Sequence, residues 1–591
     1  MRTHYCNQVN KELIGREVKL CGWVNRVRHH GKVVFINLRD REGIVQVVVE
    51  EEQQELFEVA TKIHNEYVLC IEGKVRSRPE GLINYEMITG EVEVVVEKLD
   101  ILAKSEALPF NLDEYQEAND ELRLRYRYLD LRRKEAGDKL IFRSKVVKKI
   151  RDYFDRLGFL EIETPILTKS TPEGARDFLV PSRNFPGKFY ALPQSPQIFK
   201  QLLMAAGFDR YYQIVKCFRD EDLRADRQPE FTQMDVELSF VDEQEIMRIH
   251  EELLRELFAE LLQVALPAQF PQMTFKEAMA RYGSDKPDLR IPLELVDIAD
   301  VVKNSGFAVF ADAAKKPEYR VAALRLPKGA TLSRKQLDGY IEYVAIFGLK
   351  GLAHVKVNER AQGIAGLQSS ILKFLSEDVV ENILIRTKAE TGDIIFFAAG
   401  VTNIVNEALG ALRVKLGHDH GLVEHGFRPL WVIDFPMFAK LENGDWTFMH
   451  HPFTAPATDN AEEVIADPAK VLARAYDLVL NGIELGGGSI RISNYSMQMA
   501  IFKVMGMSEE TAKENFGHLL EAFKYGYPPE GGIAFGIDRM IMLMSGAKSI
   551  REVIAFPKTQ TGMCPLVQAP STVNAAQLKE LGIKCYQKQT D

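Results

Sequence analysis

The densest group of side chains that could do chemistry lies at residues 217–240. Seven charged residues fall within nine positions there, beside strand-like apolar sequence: Arg219, Asp220, Glu221, Asp222, Arg224, Asp226 and Arg227. Arg219 directly follows Phe218, and Asp235 lies among apolar neighbours, so each charge needs a partner if the strands are buried. Opposed charges on facing strands under a basic loop suit a zwitterion bound beside a polyphosphate. The alternative for such a charge run is a solvated hairpin tip.

Further polar residues stand beside helix starts and glycine turns. Gln197 and Lys200 lie within one turn of each other in the helix that QSPQIFKQ is expected to begin, so both can face one pocket. Glu484 and Arg491 flank the glycines of GIELGGGSIRI, which let the backbone approach a ligand closely. The chain contains neither GxxxxGK[ST] nor GxGxxG, which excludes nucleotide binding of the P-loop and Rossmann kinds.

The elements that must position these residues can be predicted locally. YYQIVKCFRDE and EFTQMDVELSF alternate as strands and predict a hairpin around the charged loop. Residues 141–157 have helical spacing and end at Gly158. Residues 168–178 are rich in Gly, Pro and Ser/Thr, which favours a mobile loop with Glu173 at its tip. A helix is expected around Tyr476 and Asp477.

Length and composition bound the class of protein. A chain of 591 residues needs roughly three to five domains. Its 46% hydrophobic and 27% charged residues are typical of a soluble globular protein, and no apolar run approaches the ~20 residues of a membrane span. Six scattered cysteines and no signal peptide indicate a cytoplasmic protein. The net charge of −9 means that any nucleic-acid binding must rest on local patches.

Three motifs together resemble those of the class II aminoacyl-tRNA synthetases. GFLEIETPIL (158–167) is similar to motif 1, FRDE with its loop and second strand to motif 2, and GGIAFGIDRM (531–540) to motif 3. With QSPQIFKQ (194–201) between the first two, the resemblance covers nearly the whole chain and points to aspartyl-tRNA synthetases of the bacterial type.

The resemblance implies an α+β multidomain fold with an antiparallel-sheet catalytic domain. It divides the chain into an OB-fold anticodon-binding domain (1–105), a hinge (106–140), a first catalytic part with motifs 1 and 2 (141–289), an inserted α/β domain (290–425), a second catalytic part with motif 3 (426–559) and a C-terminal extension (560–591). Motif 1 implies a homodimer.

Roles for individual residues also follow from the resemblance. Arg219 and Arg539 would act in catalysis, on the α-phosphate and γ-phosphate of ATP. Mg²⁺ would be held by Asp477 and Glu484, which are hard oxygen donors. Aspartate would be bound by Glu173, Gln197, Lys200, Arg219, Asp235, His450 and Arg491. ATP would be bound by Arg219, Asp220, Glu221, Gln228, Glu484, Gly536, Ile537, Asp538 and Arg539.

The N-terminal segment predicts an RNA-binding barrel. Five short strands in about a hundred residues suit an OB fold, whose face binds single-stranded nucleic acid. Phe35 could stack on a base, or it could belong to the barrel core. Gln46 and Glu93 could bond to base edges, and in the resembled family all three match anticodon contacts. The R-x-R pairs at Arg26 and Arg76 each place two arginines on one strand face.

Two turn residues bear on the choice of tRNA. Strict aspartate enzymes of the resembled family carry leucine and lysine where this chain has His30 and Gly81, and relaxed enzymes carry histidine and glycine. The pattern favours a relaxed enzyme that charges both tRNA(Asp) and tRNA(Asn), and it implies a separate amidotransferase acting on Asp-tRNA(Asn). The alternative is that both are ordinary turn residues in a discriminating enzyme.

Two other classes of protein remain as alternatives. A non-tRNA ligase, such as an ammonia-dependent asparagine synthetase, would share the catalytic domain, but it would not need the base-reading barrel. An inactive RNA-binding paralogue would not need Arg219, Glu484 and Arg539. Among close relatives, a lysine-specific enzyme would need acids where Lys200 and Arg491 stand, and an asparagine-specific enzyme would not need both cations.

Overall fold

The computed structural model describes residues 2–112, 119–170, 174–223, 226–441 and 443–586. The chain divides into two compact units, one of residues 1–140 with 564–568 and one of residues 141–563 with 569–591. Among the described residues, no helix combines the length and apolar character that crossing a membrane requires.

The first unit contains the predicted barrel. Alternating side chains, such as the buried Val34, Ile36 and Leu38, fill its interior. Five strands close it in the order β1-β2-β3-β5-β4, and a short helix follows the third strand: β1 (Glu17–His30), β2 (Val33–Arg39), β3 (Ile44–Glu50), α1 (Gln54–Ala60), β4 (Val68–Ser77) and β5 (Val92–Ala103). Phe35 is half-buried on the outer face, between these core positions, so the alternative that it belongs to the barrel core is wrong.

Two short helices follow the barrel, α2 (Asp120–Arg125) and α3 (Arg127–Asp130). Asp130 is fully buried and accepts hydrogen bonds from the guanidinium groups of Arg123 and Arg127. A buried carboxylate needs such partners, so the charged segment is fixed by its own ion pairs.

The second unit is built on a sheet of eight strands in the order β11-β17-β20-β21-β22-β10-β9-β6. The elements of its first part are α4 (Lys134–Arg156), β6 (Leu160–Glu161), β7 (Leu179–Pro181), β8 (Phe189–Ala191), α5 (Gln197–Ala205), β9 (Arg210–Phe218), β10 (Glu230–Ser239), α6 (Glu243–Leu262), β11 (Gln272–Thr274) and α7 (Phe275–Tyr282). The predicted hairpin is confirmed as β9 and β10, which pair from Phe218 opposite Glu230 to Arg210 opposite Leu238.

Residues beyond α7 form a separate sheet of five strands in the order β12-β13-β16-β14-β15. Its elements are β12 (Leu295–Asp297), α8 (Ala299–Val302), α9 (Ala308–Ala313), β13 (Tyr319–Leu326), α10 (Arg334–Ala345), β14 (Ala353–Val357), β15 (Leu367–Gln368), α11 (Glu377–Arg386), β16 (Ile394–Val401) and α12 (Thr402–Asp419). The segments RVAALRL, GLAHVKV and DIIFFAA, whose sequences predict strands, correspond to β13, β14 and β16. An apolar cluster covers each face of this sheet.

The chain then returns to the eight-stranded sheet. Its remaining elements are β17 (Pro429–Ile433), β18 (Phe438–Lys440), β19 (Trp446–Phe448), α13 (Ala461–Ala466), β20 (Ala475–Leu480), β21 (Ile483–Ile490), α14 (Tyr495–Val504), α15 (Glu509–Ala522), β22 (Glu530–Gly536), α16 (Ile537–Ser545) and α17 (Ala575–Glu580). The helix expected around Tyr476 and Asp477 is wrong, because both residues lie in β20. All six residues of that strand are buried, so its sequence lacks the alternation that marks a half-exposed strand.

Candidate active site

A cleft of about 520 Å³ opens over the eight-stranded sheet of the second unit. Its walls come from β10, β21 and β22, from the start of α5 and from the loop between β9 and β10. The structure brings thirteen of the predicted site residues together here: Gln197, Lys200, Arg219, Glu221, Gln228, Asp235, His450, Asp477, Glu484, Arg491, Gly536, Asp538 and Arg539. Glu173 lies outside the described residues.

Two arginines line one wall of the cleft. Arg219 follows the last residue of β9, and its guanidinium lies 5.1 Å from the ring centre of Phe231. Arg219 forms no ion pair with any described residue. Arg539, in the first turn of α16, donates to the backbone oxygen of Glu484 at 3.1 Å and lies 3.2 Å from the Asp226 carboxylate. Half-buried guanidinium groups of this kind are suited to bind phosphate oxygens.

A buried ionic group forms the floor of the cleft. Lys200 Nζ lies 3.1 Å from Asp235 Oδ1 and 3.2 Å from Glu237 Oε2, and each of these three side chains is at most 1% exposed. Arg491 donates to both oxygens of Glu237, at 2.7 and 3.0 Å. Burial opposes the ionisation of Glu237, but Arg491 and Lys200 outweigh it and lower the pKa of Glu237. One carboxylate therefore stands between two cations.

Two polar atoms at the cleft have no hydrogen-bond partner among the described residues. Asp235 Oδ2 and His450 Nε2 are both inaccessible to solvent, although both residues line the cleft. Burial raises the pKa of Asp235. Lys200, which opposes this rise, donates to Oδ1 of Asp235 and not to Oδ2. Burial lowers the pKa of His450 to about 4, so its imidazole is neutral near pH 7. Leaving such atoms unsatisfied costs free energy, and a bound polar molecule would supply the missing partners.

Three residues of this floor are not among those expected from the sequence. Glu237 is the principal partner of Arg491, and His451 and Ser489 also contact its guanidinium. Burial lowers the pKa of His451 well below its usual range. The signal for Glu237 was present, because Asp235 and Glu237 are two residues apart on one strand and therefore share a face.

Asp477 and Glu484 lie across two neighbouring strands, beside the glycine run. Asp477 pairs with Gly487, where a Cβ atom would stand 2.6 Å from Oδ1 of Asp477, so only glycine leaves that oxygen room. Burial raises the pKa of Asp477 well above its usual range, and the carboxylates of Glu484 and Asp285 raise it further.

This acidic pair fits a divalent cation. A hard cation would neutralise the negative charge of Glu484 that raises the pKa of Asp477, and oxygen ligands are those that Mg²⁺ prefers. Among the described residues no three His, Cys, Asp or Glu side chains form a complete metal cluster. A cation held by Asp477 and Glu484 would therefore take its other ligands from phosphate oxygens and water.

The raised pKa of Asp477 predicts that this carboxylate lowers the stability of the fold, although it would serve to bind the cation. A raised pKa in the folded state means that ionisation opposes folding, so the cost is absent below the ordinary value near 3.8 and grows as the pH rises above it. Asp477→Asn should therefore raise the free energy of unfolding at pH 7.5 in EDTA. The melting temperature should rise at pH 7.5, and the difference should shrink towards pH 4.

Asp467→Asn is the matched control, because Asp467 pairs with Lys470 at the surface and should change little. Mg²⁺ with ATP should stabilise the unsubstituted chain and leave Asp477→Asn unaffected. A lower melting temperature for Asp477→Asn in EDTA at pH 7.5 would contradict this account of the acidic pair.

Other predicted ligands are engaged by the protein itself. Both ends of the Gln228 amide bond to the backbone of Lys558, at 2.7 and 3.1 Å. Asp538 accepts from the Thr232 N–H at 2.8 Å and from the Arg143 guanidinium, so it joins the hairpin to α4. Asp220 and Ile537 are not among the residues that line the cleft. Ile537 is fully buried in the core, and Asp220 is exposed beside Arg176.

The outer face of the barrel, in the first unit, brings the three predicted base contacts together. The Gln46 amide donates to Glu93 at 2.8 Å and accepts from Arg28 at 2.9 Å, while Arg76 donates to Glu93 at 2.8 Å. Phe35 lies directly opposite Arg28 on the neighbouring strand. A half-buried ring beside fixed donors and acceptors is suited to an unstacked base.

His30 and Gly81 are both exposed in the same unit. His30 is the last residue of β1, and Gly81 lies in a short 3₁₀ turn at Glu80–Leu82. A Cβ atom at position 81 would meet no atom within 4 Å, so a lysine fits there without a clash.

Comparison with known proteins identifies the family. Residues 119–560 match the family described as tRNA synthetases class II (D, K and N), and residues 18–102 match the OB-fold nucleic acid binding domain. The fold resembles asparaginyl-tRNA synthetase from Pyrococcus horikoshii complexed with asparaginyl-adenylate, with 21% identity, a TM-score of 0.59, and coverage of 94% of this chain and 98% of that chain.

Two further solved structures are similar. A putative aspartyl-tRNA synthetase from Leishmania major Friedlin has 19% identity, a TM-score of 0.59 and coverage of 94% of both chains. Entamoeba histolytica asparaginyl-tRNA synthetase in complex with asparaginyl-adenylate has 17% identity, a TM-score of 0.58, and coverage of 94% of this chain and 98% of that chain. At these identities the likeness shows the fold alone. The family match spans most of the chain, so this protein belongs to the class II tRNA synthetases of the D, K and N group, which use ATP to aminoacylate tRNA.

Proposed function

We propose that this chain ligates L-aspartate to tRNA through an aspartyl-adenylate. The observation that carries the proposal is the floor of the cleft, where Lys200 and Arg491 flank the carboxylate of Glu237 and Lys200 also pairs with Asp235. With Asp235 included, this buried group has two cations and two acids. Asp235 would face the α-ammonium of the substrate, which leaves the net positive charge of Lys200, Arg491 and Glu237 for the substrate side chain. A substrate side chain that is itself an anion is the complement of that charge.

The reaction needs no protein nucleophile. The α-carboxylate of aspartate attacks the α-phosphorus of ATP in line and pyrophosphate leaves; the tRNA hydroxyl then attacks the adenylate carbonyl and AMP leaves. Catalysis is therefore positioning and charge neutralisation. Arg219 would bridge the α-phosphate and the attacking carboxylate, and Arg539 would hold the γ-phosphate. Mg²⁺ on Asp477 and Glu484 would neutralise phosphate charge.

The unsatisfied atoms of the cleft give the amino acid its orientation. Asp235 Oδ2 would accept a hydrogen bond from the α-ammonium, with Gln197 and Glu173 as further acceptors. Lys200 and Arg491 would face the side-chain carboxylate, and neutral His450 would donate to it. Glu221, Gln228, Gly536 and Arg539, which line the cleft, would lie around the nucleotide.

Amino-acid selectivity tests this proposal. ATP–pyrophosphate exchange should require aspartate, with asparagine lower by about 10⁴–10⁵-fold because an amide leaves the buried cations without an anion. Lysine would bring a third cation to the floor and should not support exchange. Preference for asparagine, which the two solved asparaginyl enzymes make the natural rival, would refute the assignment.

The barrel would read the anticodon through Phe35, Gln46 and Glu93. The anticodons for aspartate and asparagine differ only at their third base, so an enzyme without a discriminating contact there accepts both tRNAs. His30 and Gly81 match the relaxed pattern of the resembled family, and glycine at position 81 offers no side-chain donor that could favour one pyrimidine. We infer that both tRNA(Asp) and tRNA(Asn) are charged and that a separate amidotransferase converts Asp-tRNA(Asn).

Charging of unmodified tRNA(Asp) and tRNA(Asn) should therefore agree within about tenfold. His30→Leu with Gly81→Lys should then lower charging of tRNA(Asn) by about 1–3 kcal/mol, the usual scale of one base contact. Gln54→Lys is a control, since it adds the same positive charge at an exposed position of α1 in the same unit. Discrimination of a thousandfold or more by the unsubstituted chain would contradict the relaxed reading.

A homodimer is also proposed. Strand β6 lies at the edge of the eight-stranded sheet with Leu160 exposed, and Phe208 and Phe240 are exposed beside the ends of β9 and β10. An open strand edge with apolar side chains is a common site of pairing between chains. Light scattering should give twice the chain mass, and a monomer at micromolar concentration would contradict the proposal.

A further inference from the structure

A line of three buried polar side chains runs from the cleft into the protein interior. The Gln197 amide nitrogen donates to Gln201 Oε1 at 3.0 Å, and the Gln201 amide nitrogen donates to Glu530 Oε1 at 3.2 Å. Gln197 lines the cleft, whereas Gln201 and Glu530 are fully buried behind it. No step of the reaction described above uses Gln201 or Glu530.

The fold holds the three side chains in register. Gln197 and Gln201 are one turn apart on α5, so they share a face of that helix. Glu530 is the first residue of β22, and its backbone oxygen accepts from the N–H of Arg491 at 2.9 Å. The Tyr527 hydroxyl also donates to Glu530 Oε1, so that oxygen receives two donors.

The hydrogen bonds along this line all run in one direction, with each donor on the side of the cleft and each acceptor on the side of Glu530. Glu530 Oε1 accepts from both Gln201 and Tyr527, so it acts as an acceptor whether or not the other oxygen carries a proton. Gln201 must therefore turn its nitrogen towards Glu530 and its oxygen towards Gln197. Gln197 in turn directs its nitrogen into the protein, and its carbonyl oxygen has no hydrogen-bond partner among the described residues.

We propose that Glu530 is a positioning residue that, through Gln201, fixes the Gln197 amide with its oxygen towards the α-ammonium of the amino-acid substrate. The proposal extends the function proposed above, but it concerns the ammonium group and not the side chain of the substrate. An amide has an acceptor and a donor end of nearly equal size, so the direction has to be imposed from outside. A carbonyl oxygen attracts an ammonium, and an NH₂ group in its place would repel it.

Loss of the acceptor at position 530 removes the constraint that fixes the orientation of the Gln201 and Gln197 amides. In Glu530→Met, the only acceptor that the described residues leave to the Gln201 amide nitrogen is the more distant Tyr527 hydroxyl at 3.5 Å, so both amides are free to reverse. In Glu530→Gln, the amide oxygen can still accept from Gln201 and Tyr527, so the direction survives. Gln201→Met interrupts the same line at its middle and serves as an independent second variant.

The test compares two molecules that differ only in the ammonium group. The KM for aspartate is measured by ATP–pyrophosphate exchange, and succinate, which lacks the ammonium, is measured as a competitive inhibitor. Glu530→Met and Gln201→Met should raise the KM for aspartate by about tenfold, the scale of one charge-assisted hydrogen bond. The inhibition constant of succinate and the KM for ATP should change by less than about twofold, since neither molecule offers an ammonium to Gln197. Glu530→Gln should stay close to the unsubstituted chain.

The outcomes separate this proposal from the choice of substrate. If asparagine and not aspartate supports exchange by the unsubstituted chain, the proposed substrate is wrong, and the line is tested with asparagine and succinamate. Equal weakening of aspartate and succinate in both methionine variants would show a merely structural role and overturn the proposal. An unchanged KM in Gln201→Met would also overturn it, and so would a tenfold loss in Glu530→Gln.

Discussion

Arg219→Ala should lower the rate of ATP–pyrophosphate exchange by about 10²–10³-fold, equivalent to about 3–4 kcal/mol of transition-state stabilisation. Arg219 has no ion-pair partner among the described residues, and its guanidinium is held half-buried over Phe231 at the cleft wall. Its charge is therefore available to the ligand. The charge on the α-phosphate develops as the carboxylate attacks, so the loss should fall mainly on kcat and less on the KM for aspartate.

Two variants test whether the effect comes from this guanidinium. Arg219→Lys keeps the charge but loses the planar fork, so its rate should lie between those of the unsubstituted chain and Arg219→Ala. Lys216→Ala removes an exposed cation from the same strand, β9, and should leave the rate unchanged. Exchange by Arg219→Ala at a near-normal rate would remove Arg219 from the catalytic machinery.

Glu237→Gln should be the most destabilising single change in the catalytic unit. Glu237 is fully buried between Lys200 and Arg491, and the substitution would leave two buried cations with Asp235 as their sole carboxylate partner within salt-bridge distance among the described residues. Breaking a buried ion pair by removing one partner costs about 3–5 kcal/mol. The same change leaves the cations mispositioned for a substrate carboxylate, so aspartate-dependent exchange should fall as well.

The matched control is Glu230→Gln. Glu230 pairs with Lys558 at 2.8 Å, but its side chain is 41% exposed, so solvent screening should limit the loss to about 1 kcal/mol or less. Thermal unfolding of both variants, followed by circular dichroism at one scan rate, measures the difference. Equal melting temperatures for the two variants would show that the Glu237 group does not stabilise the fold.

Much of the fold could be predicted from local pattern. In β10 and in barrel strands such as β2, apolar and polar residues alternate, because one face packs on a core and the other faces the cleft or the outer surface of the barrel. The strand at Ala475–Leu480 could not be recognised in this way. Both of its faces are buried, and its sequence does not alternate between apolar and polar residues. A short run buried on every side has the same composition in a helix as in a strand.

Site residues that belong to a sequence motif could be predicted. Residues whose role depends on a partner from a distant part of the chain could not. Arg219, Asp235 and Lys200 were found from local sequence and family likeness, and the structure places them around one cleft. Glu237 and Glu530 were not predicted, because Arg491 and Gln201, which donate to them, lie 254 and 329 residues away in the chain and only the tertiary fold brings them together. An acid inside a strongly apolar strand, as in MDVELSF, is the signal that such partners exist.

The most direct test of the central claim is charging of total tRNA with radiolabelled amino acid in the presence of ATP and Mg²⁺. Aspartate should be transferred to tRNA, and asparagine and lysine in parallel reactions should remain near background. Transfer of asparagine in preference to aspartate would contradict the assignment of Lys200 and Arg491 to a substrate carboxylate. Activation of aspartate without any transfer to tRNA would show a ligase of another class and contradict the role given to the barrel.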